Sequence, residues 1–161
     1  MPSLDEFLPV EFGLNLLDVE HPKIKTLNFS GSAPEWRRVK KGLNLFGFCQ
    51  KITCKAFKKE VIFNDGDDGI INKKFNLEEN AENIRCPICN EIFVPKTCGF
   101  WDCEYQFIGD KMENGKIEHV DTKCKETKDN DFDYFDSLEN SNKIWMNLTI
   151  FTISKQKIKF K

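Results

Sequence analysis

The chain has 161 residues, 40% of them hydrophobic and fifteen of them phenylalanine, so it is long enough to bury its own core and too apolar to stay disordered. Acidic residues number 26 against 24 basic ones, and only Arg37, Arg38 and Arg85 are arginine, a shortage of bidentate guanidinium groups that argues against sequence-specific reading of DNA. No stretch reaches the roughly 20 apolar residues of a membrane-crossing helix and the opening residues lack an export layout, so the chain is expected to be intracellular, cytoplasmic or nuclear, with no membrane partner.

Residues 1–33 scatter short apolar clusters among Pro2, Pro9, Gly13, Pro22 and Gly31, which predicts an irregular or mobile N-terminal arm ahead of one domain over 34–161. Ser32 can cap a helix, Pro34 suits a first turn, and Glu35 favours the positive end of the helix dipole. Trp36, Val39 and Leu43 then form an apolar stripe that ends near Gly42, so a short helix is expected here.

Beyond Leu43 the pattern changes to short strands. Residues 59–63 and 70–77 flank the turn-rich run Asn64-Asp-Gly-Asp-Asp-Gly and predict a hairpin. Residues 97–112 and 116–123 flank Asn114-Gly115, a strong turn signal. Residues 129–142 read as a polar loop whose Phe132, Tyr134 and Phe135 fold back on the core. In 145–153, Trp145, Asn147, Thr149 and Phe151 alternate with Met146, Leu148, Ile150 and Thr152, which predicts a late strand. The sum is a small β-rich α+β domain of zinc-ribbon type: antiparallel hairpins with one short N-terminal helix.

Without an export signal, seven cysteines read as thiols or metal ligands rather than as a disulfide framework. Cys49-Gln-Lys-Ile-Thr-Cys54 and Cys86-Pro-Ile-Cys89 are two short turns that each present two sulfurs, the usual way to supply a tetrahedral Zn²⁺ site. Pro87 pre-sets the second turn, and Asn90 tolerates the left-handed backbone that aims N–H groups at sulfur. The competing readings are buried apolar cysteines or a redox pair at Cys86 and Cys89; a redox pair should open a helix, whereas 90–95 continues as a strand. Lys51, Lys55 and Arg85 lie beside the four cysteines in sequence and can offset thiolate charge.

Cys98 and Cys103 repeat the C-x4-C spacing. With His119 and Cys124 they would make a second, Cys₃His zinc site; alternatively they are half-buried strand positions beside Phe100, Trp101, Tyr105 and Phe107. A site closed by four thiolates has no open position for water. With no zinc-protease, phosphate-loop or nucleophile-elbow motif either, the chain reads as a non-enzyme with no small-molecule substrate.

Pro34-Glu-Trp-Arg, Gly42-Leu-Asn-Leu, Gly47-Phe-Cys49, Cys54-Lys-Ala, Cys86-Pro-Ile-Cys89, Pro95-Lys-Thr-Cys98-Gly-Phe, Cys103-Glu-Tyr-Gln-Phe and Trp145-x-x-Leu148 together resemble a eukaryotic cysteine-rich module often found beside ubiquitin-like domains. The resemblance covers residues 34 to about 150 and implies a ubiquitin-linked setting; no ubiquitin-like domain accompanies it in this chain. Cys86-Pro-Ile-Cys89 followed by Cys98 and Cys103 is also similar to the centre of a RING finger, with Phe100 where that pattern has its histidine. The expectation is a non-catalytic zinc-binding module that binds another protein. The alternatives are a nucleic-acid-binding ribbon that sets Lys40, Lys41, Lys51, Lys55, Lys58 and Lys59 on phosphates, and a RING-like ubiquitin ligase.

Overall fold

Buried and half-buried side chains alternate along Cys103–Glu113 and most of Asn142–Ser154, whereas Gly42–Phe48 and Thr97–Trp101 are buried almost throughout, the pattern of two sheets that face one another. A computed structural model describes residues 14–20, 22–29, 31–64, 72–136 and 142–155. The first sheet runs β1 (Leu14–Leu17), β11 (Asn142–Ser154), β7 (Cys103–Glu113), β8 (Lys116–Asp121). In the same sheet β5 (Asn72–Asn76) also pairs with β11, and the two-residue β9 (Lys125–Glu126) with β7. The second sheet runs β2 (Ile24–Leu27), β10 (Phe132–Phe135), β6 (Thr97–Trp101), β3 (Gly42–Phe48), β4 (Glu60–Asn64). Every pairing between strands is antiparallel.

The inner faces meet over aromatic rings. Phe100 of β6 stacks on Tyr105 of β7 with centroids 3.9 Å apart, and Phe107 and Phe135 each meet both rings edge-on and tilt against one another. Trp145, Leu148 and Ile150 of β11 and Leu43 and Leu45 of β3 close the same core. The buried Tyr105 hydroxyl keeps a partner by donating to Asp133 at 3.1 Å. Lys111, 3% exposed, lies 2.7 Å from Glu20, 3.5 Å from Asp18 and 3.8 Å from Glu113, so its charge is compensated where it is buried.

The fold corrects the α+β, zinc-ribbon-like expectation. Among the described residues there is no helix longer than a single 3-10 turn, and the expected N-terminal helix is one such turn at Glu35–Arg37. Pro34 before it and Arg38 after it are both extended, and no side chain caps it. The chain must run straight on to β3, which outweighs the local capping signals. Segments within 1–33 supply β1 and β2, which pair with β11 and β10.

Strand positions were legible and strand partners often were not. The expected hairpin of 59–63 with 70–77 does not form: β4 pairs with β3 in one sheet, and β5 with β11 in the other. Residues 65–71, where that turn was expected, lie outside the described residues. The run 97–112 breaks at Asp102, whose φ of 49° turns the chain from β6 in the second sheet to β7 in the first. Residues 132–135 are β10, an interior strand between β2 and β6, not a loop. The Asn114-Gly115 hairpin between β7 and β8 does form, with both residues at positive φ. Among the described residues no helix is long and apolar enough to cross a membrane.

Candidate metal centre

Cys49 follows directly on β3, where the sheet ladder is ending. Its carbonyl accepts from the Lys58 N–H at 2.8 Å and its N–H donates to the Lys59 carbonyl at 3.3 Å, so the β3–β4 connection folds back on it. Within that connection the Cys54 N–H donates to the Lys51 carbonyl at 3.0 Å, and Lys58 takes a φ of 64°. The Ala56 N–H points at the Cys54 sulfur, 3.3 Å away. Such an N–H···S contact favours a charged sulfur.

The second turn is the tip of a small hairpin. Ile84 and Phe93 are joined by a 3.1 Å hydrogen bond, Arg85 bridges Ile92, and Cys86 exchanges backbone bonds with Asn90 and Glu91, each 2.9 Å. Asn90 has the left-handed φ, 63°, that its residue type favours. Arg85 clamps the turn: its guanidinium donates to the Asn90 carbonyl at 2.9 Å and to the Glu82 carbonyl at 2.8 Å. The arginine expected to offset thiolate charge is placed to hold the backbone that presents the sulfurs.

A glycine docks this hairpin on the second sheet. A Cβ on Gly47 of β3 would lie 2.4 Å from Phe93 Cδ2 and 2.7 Å from the Val94 carbonyl oxygen, closer than real Cβ atoms approach. Lys96 seals the contact by donating its N–H to the Phe46 carbonyl at 2.7 Å. Gly47 is marked in the sequence only as part of Gly47-Phe-Cys49, with no packing role, although a glycine inside a strand signals a close approach.

The two turns bring all four sulfurs within 4.8 Å of one another. Cys49 and Cys89 are 3.6 Å apart across the centre, and Cys54 and Cys86 3.9 Å. A tetrahedral ion with sulfurs at about 2.3 Å sets neighbouring sulfurs about 3.8 Å apart, so these residues fit a four-coordinate metal. Cys49 and Cys86 are buried, whereas Cys54 and Cys89 are half-buried. Burial pushes the Cys49 thiol up to about 12 and raises Cys86 too; at Cys89 burial acts the same way but is outweighed by the Glu91 N–H and the neighbouring sulfurs, which lower it. Four thiolates this close repel one another strongly unless a cation sits among them. Cys49, Cys54, Cys86 and Cys89 are thus positioned to bind a metal ion.

The second set of candidate ligands is not brought together. Cys98 and Cys103 are buried on β6 and β7, Cys103 pushed up to about 12 by burial, with the Asp102 and Asp133 charges adding to it, and Cys98 raised by burial alone. His119 is exposed on β8 and pairs with Asp110 at 2.9 Å. Asp110 is seven residues along β7 from Cys103, about 23 Å at the rise of a strand. Cys124 is exposed near Glu104. Among the described residues only the Cys49, Cys54, Cys86 and Cys89 group is close enough to hold an ion. Cys86 and Cys89 thus share their site with the earlier pair Cys49 and Cys54 and not, as a cross-braced RING order requires, with Cys103.

Comparison with protein-family models, with curated proteins and with solved structures finds no match to this chain.

Proposed function

We propose that this chain is a zinc-stabilised, non-catalytic module that binds another protein. The observation that carries the reading is the set of four sulfurs within 4.8 Å, supplied by two turns 32 to 40 residues apart along the chain. Four thiolate donors suit Zn²⁺ among the common divalent ions. All four positions are filled by protein, so the ion holds structure and has no open site at which to activate water. The turns themselves expose apolar side chains: Ile52 is 80% exposed in the first, and Ile92 and Val94 are 46% and 64% exposed beside the second.

The lysines expected to engage phosphate are partly committed elsewhere. Lys59 lies 5.1 Å over the Trp36 ring, Lys58 5.4 Å over Phe57, and Lys41 3.2 Å from Asp102. This favours a protein partner over nucleic acid. Native mass spectrometry of the intact chain tests the zinc half: one zinc per chain is expected, lost in Cys49→Ser and Cys89→Ser and kept in Cys124→Ser. Equal behaviour of the three variants would show the ligands wrongly assigned. Salt-titrated binding to single-stranded RNA tests the other half, with no affinity expected even at low salt.

A further inference from the structure

The four sulfurs of the metal centre are not equivalent toward solvent. Cys49 and Cys86 are 1% and 2% exposed, whereas Cys54 and Cys89 are half-buried, so each turn has one inner and one outer cysteine. Sulfur contacts run between the turns, and each joins an outer cysteine to the inner cysteine of the other turn: Cys89 lies 3.6 Å from Cys49, and Cys54 lies 3.9 Å from Cys86. A disulfide sets its sulfurs about 2.05 Å apart, so either pair closes with an approach of less than about 2 Å.

Inside each turn the backbone is already committed. The Cys54 N–H is held by the Lys51 carbonyl, and the Ala56 N–H points at the Cys54 sulfur. Cys86 exchanges backbone bonds with Asn90 and Glu91, and Arg85 clamps that turn from outside. Closing a disulfide within a turn works against these bonds, whereas closing one between turns draws the two together as units.

We infer that the centre is a peroxide-responsive clasp, in which hydrogen peroxide exchanges the zinc for two disulfides, Cys49 with Cys89 and Cys54 with Cys86, that keep the turns joined. The outer thiolate of a pair attacks one peroxide oxygen; the O–O bond breaks, hydroxide leaves and a sulfenic acid forms. The inner thiolate then attacks that sulfur, the S–O bond breaks as the S–S bond forms, and a second hydroxide leaves. Each pair thus passes two electrons to one peroxide, which becomes two hydroxide ions. Two peroxides leave the site without thiolates, and the zinc ion is released. Cys98 and Cys103, both 0% exposed, take no part. The inference deepens the zinc half of the proposed function and rests on it.

Disulfide mapping of the full-length Cys124→Ser chain, in which the exposed cysteine is replaced, tests the inference once its zinc content has been measured. Two equivalents of hydrogen peroxide are added, released zinc is followed with a coloured chelator, and remaining thiols are capped in denaturant before digestion with trypsin. Cleavage after Lys51 puts Cys49 and Cys54 on separate peptides, while Cys86 and Cys89 stay together on residues 86–96, where fragmentation between them assigns each bond. Zinc should leave in step with disulfide formation, Cys89 should be bound to Cys49 and Cys86 to Cys54, and Cys98 and Cys103 should carry the cap. The oxidised chain should melt at a higher temperature than the reduced chain stripped of zinc by a chelator, because the links between turns remain. Dithiothreitol with added zinc should restore the starting zinc content. Disulfides within the turns, the pairs Cys49 with Cys86 and Cys54 with Cys89, sulfinic acids in place of disulfides, or zinc retained with all four thiols intact would each overturn the clasp, and so would an oxidised chain that melts no higher than the stripped one; the zinc measured beforehand leaves the metal reading standing in every such case. A chain that holds no zinc before oxidation would fail the metal reading itself, and the clasp with it.

Discussion

At Gly47 a single missing side chain decides whether the second cysteine turn can dock. Its hydrogen faces the Phe93 ring, where a Cβ would lie 2.4 Å from the nearest carbon. Gly47→Ala should therefore cost about 1–3 kcal/mol, as overpacking typically does, and lower the melting temperature by several degrees in a calorimetric scan. A melting point equal to the parent's would show that the hairpin rides more loosely on β3. The cysteines outside the metal centre make a second prediction. Burial raises Cys98, and pushes Cys103 up to about 12, above the ordinary value of 9.0. Both stay protonated in the folded chain, while the same thiols ionise near 9 once unfolded. Folding stability from these groups is therefore fully present below pH 9 and is lost progressively as pH rises from 9 toward 12. Denaturant melts at stepped pH check the slope. Alkylation of the zinc-loaded chain at pH 8 should modify exposed Cys124 first, though slowly because partial burial and the Glu104 and Glu126 charges raise its thiol, and leave Cys98 and Cys103 unmodified until the chain unfolds.

At the scale of elements, signals that act over a few residues were legible. Asn90 and Asn114 adopt the left-handed backbone that their residue type favours, Asn114-Gly115 makes its hairpin, and the two cysteine spacings make their turns. What depends on distant partners was not. The alternation in β11 put Trp145 on the face opposite Leu148 and Ile150, yet all three are buried in one core. A bulge at Met146, between Trp145 and Asn147, supplies the extra residue that returns Trp145 to the inner face. Nothing local in the sequence marks that bulge, because it is set by register against β7. The same holds for β4, whose partner is the earlier β3 and not the following β5. The capping signals before Trp36 were real helix signals overruled by the need to reach β3. Lys111 belongs to this scale too, since its ammonium ties β7 to Asp18 and Glu20 just after β1. Lys111→Met should destabilise the fold by about 3 kcal/mol, the low end for breaking a buried pair because the carboxylates are partly exposed. Urea unfolding would detect it, and a loss below about 0.5 kcal/mol, the ordinary range for surface substitutions, would mean the cluster is dispensable.

Across the whole molecule an ion held by the four cysteines would fasten the chain where the two sheets hand over to each other. One cysteine pair leaves β3 and the other lies on the path from β5 in the first sheet to β6 in the second. An ion there would add a cross-link between Cys49 and Cys89, 40 residues apart, inside the longer loop that the pairing of β3 with β6 already closes. The aromatic stack of Phe100 and Tyr105 fixes the sheets face to face on the inside. Because a ligand that binds only the folded state adds stability with its concentration, the melting temperature should climb with free zinc, by about 1.4 kcal/mol of stability for each tenfold rise above the dissociation constant. The most direct measurement is X-ray absorption at the zinc edge on the purified chain. It should show four sulfurs at about 2.3 Å and no nitrogen or oxygen in the shell; a shell containing nitrogen or oxygen, fewer than four sulfurs, or no zinc at all would contradict a centre built from Cys49, Cys54, Cys86 and Cys89.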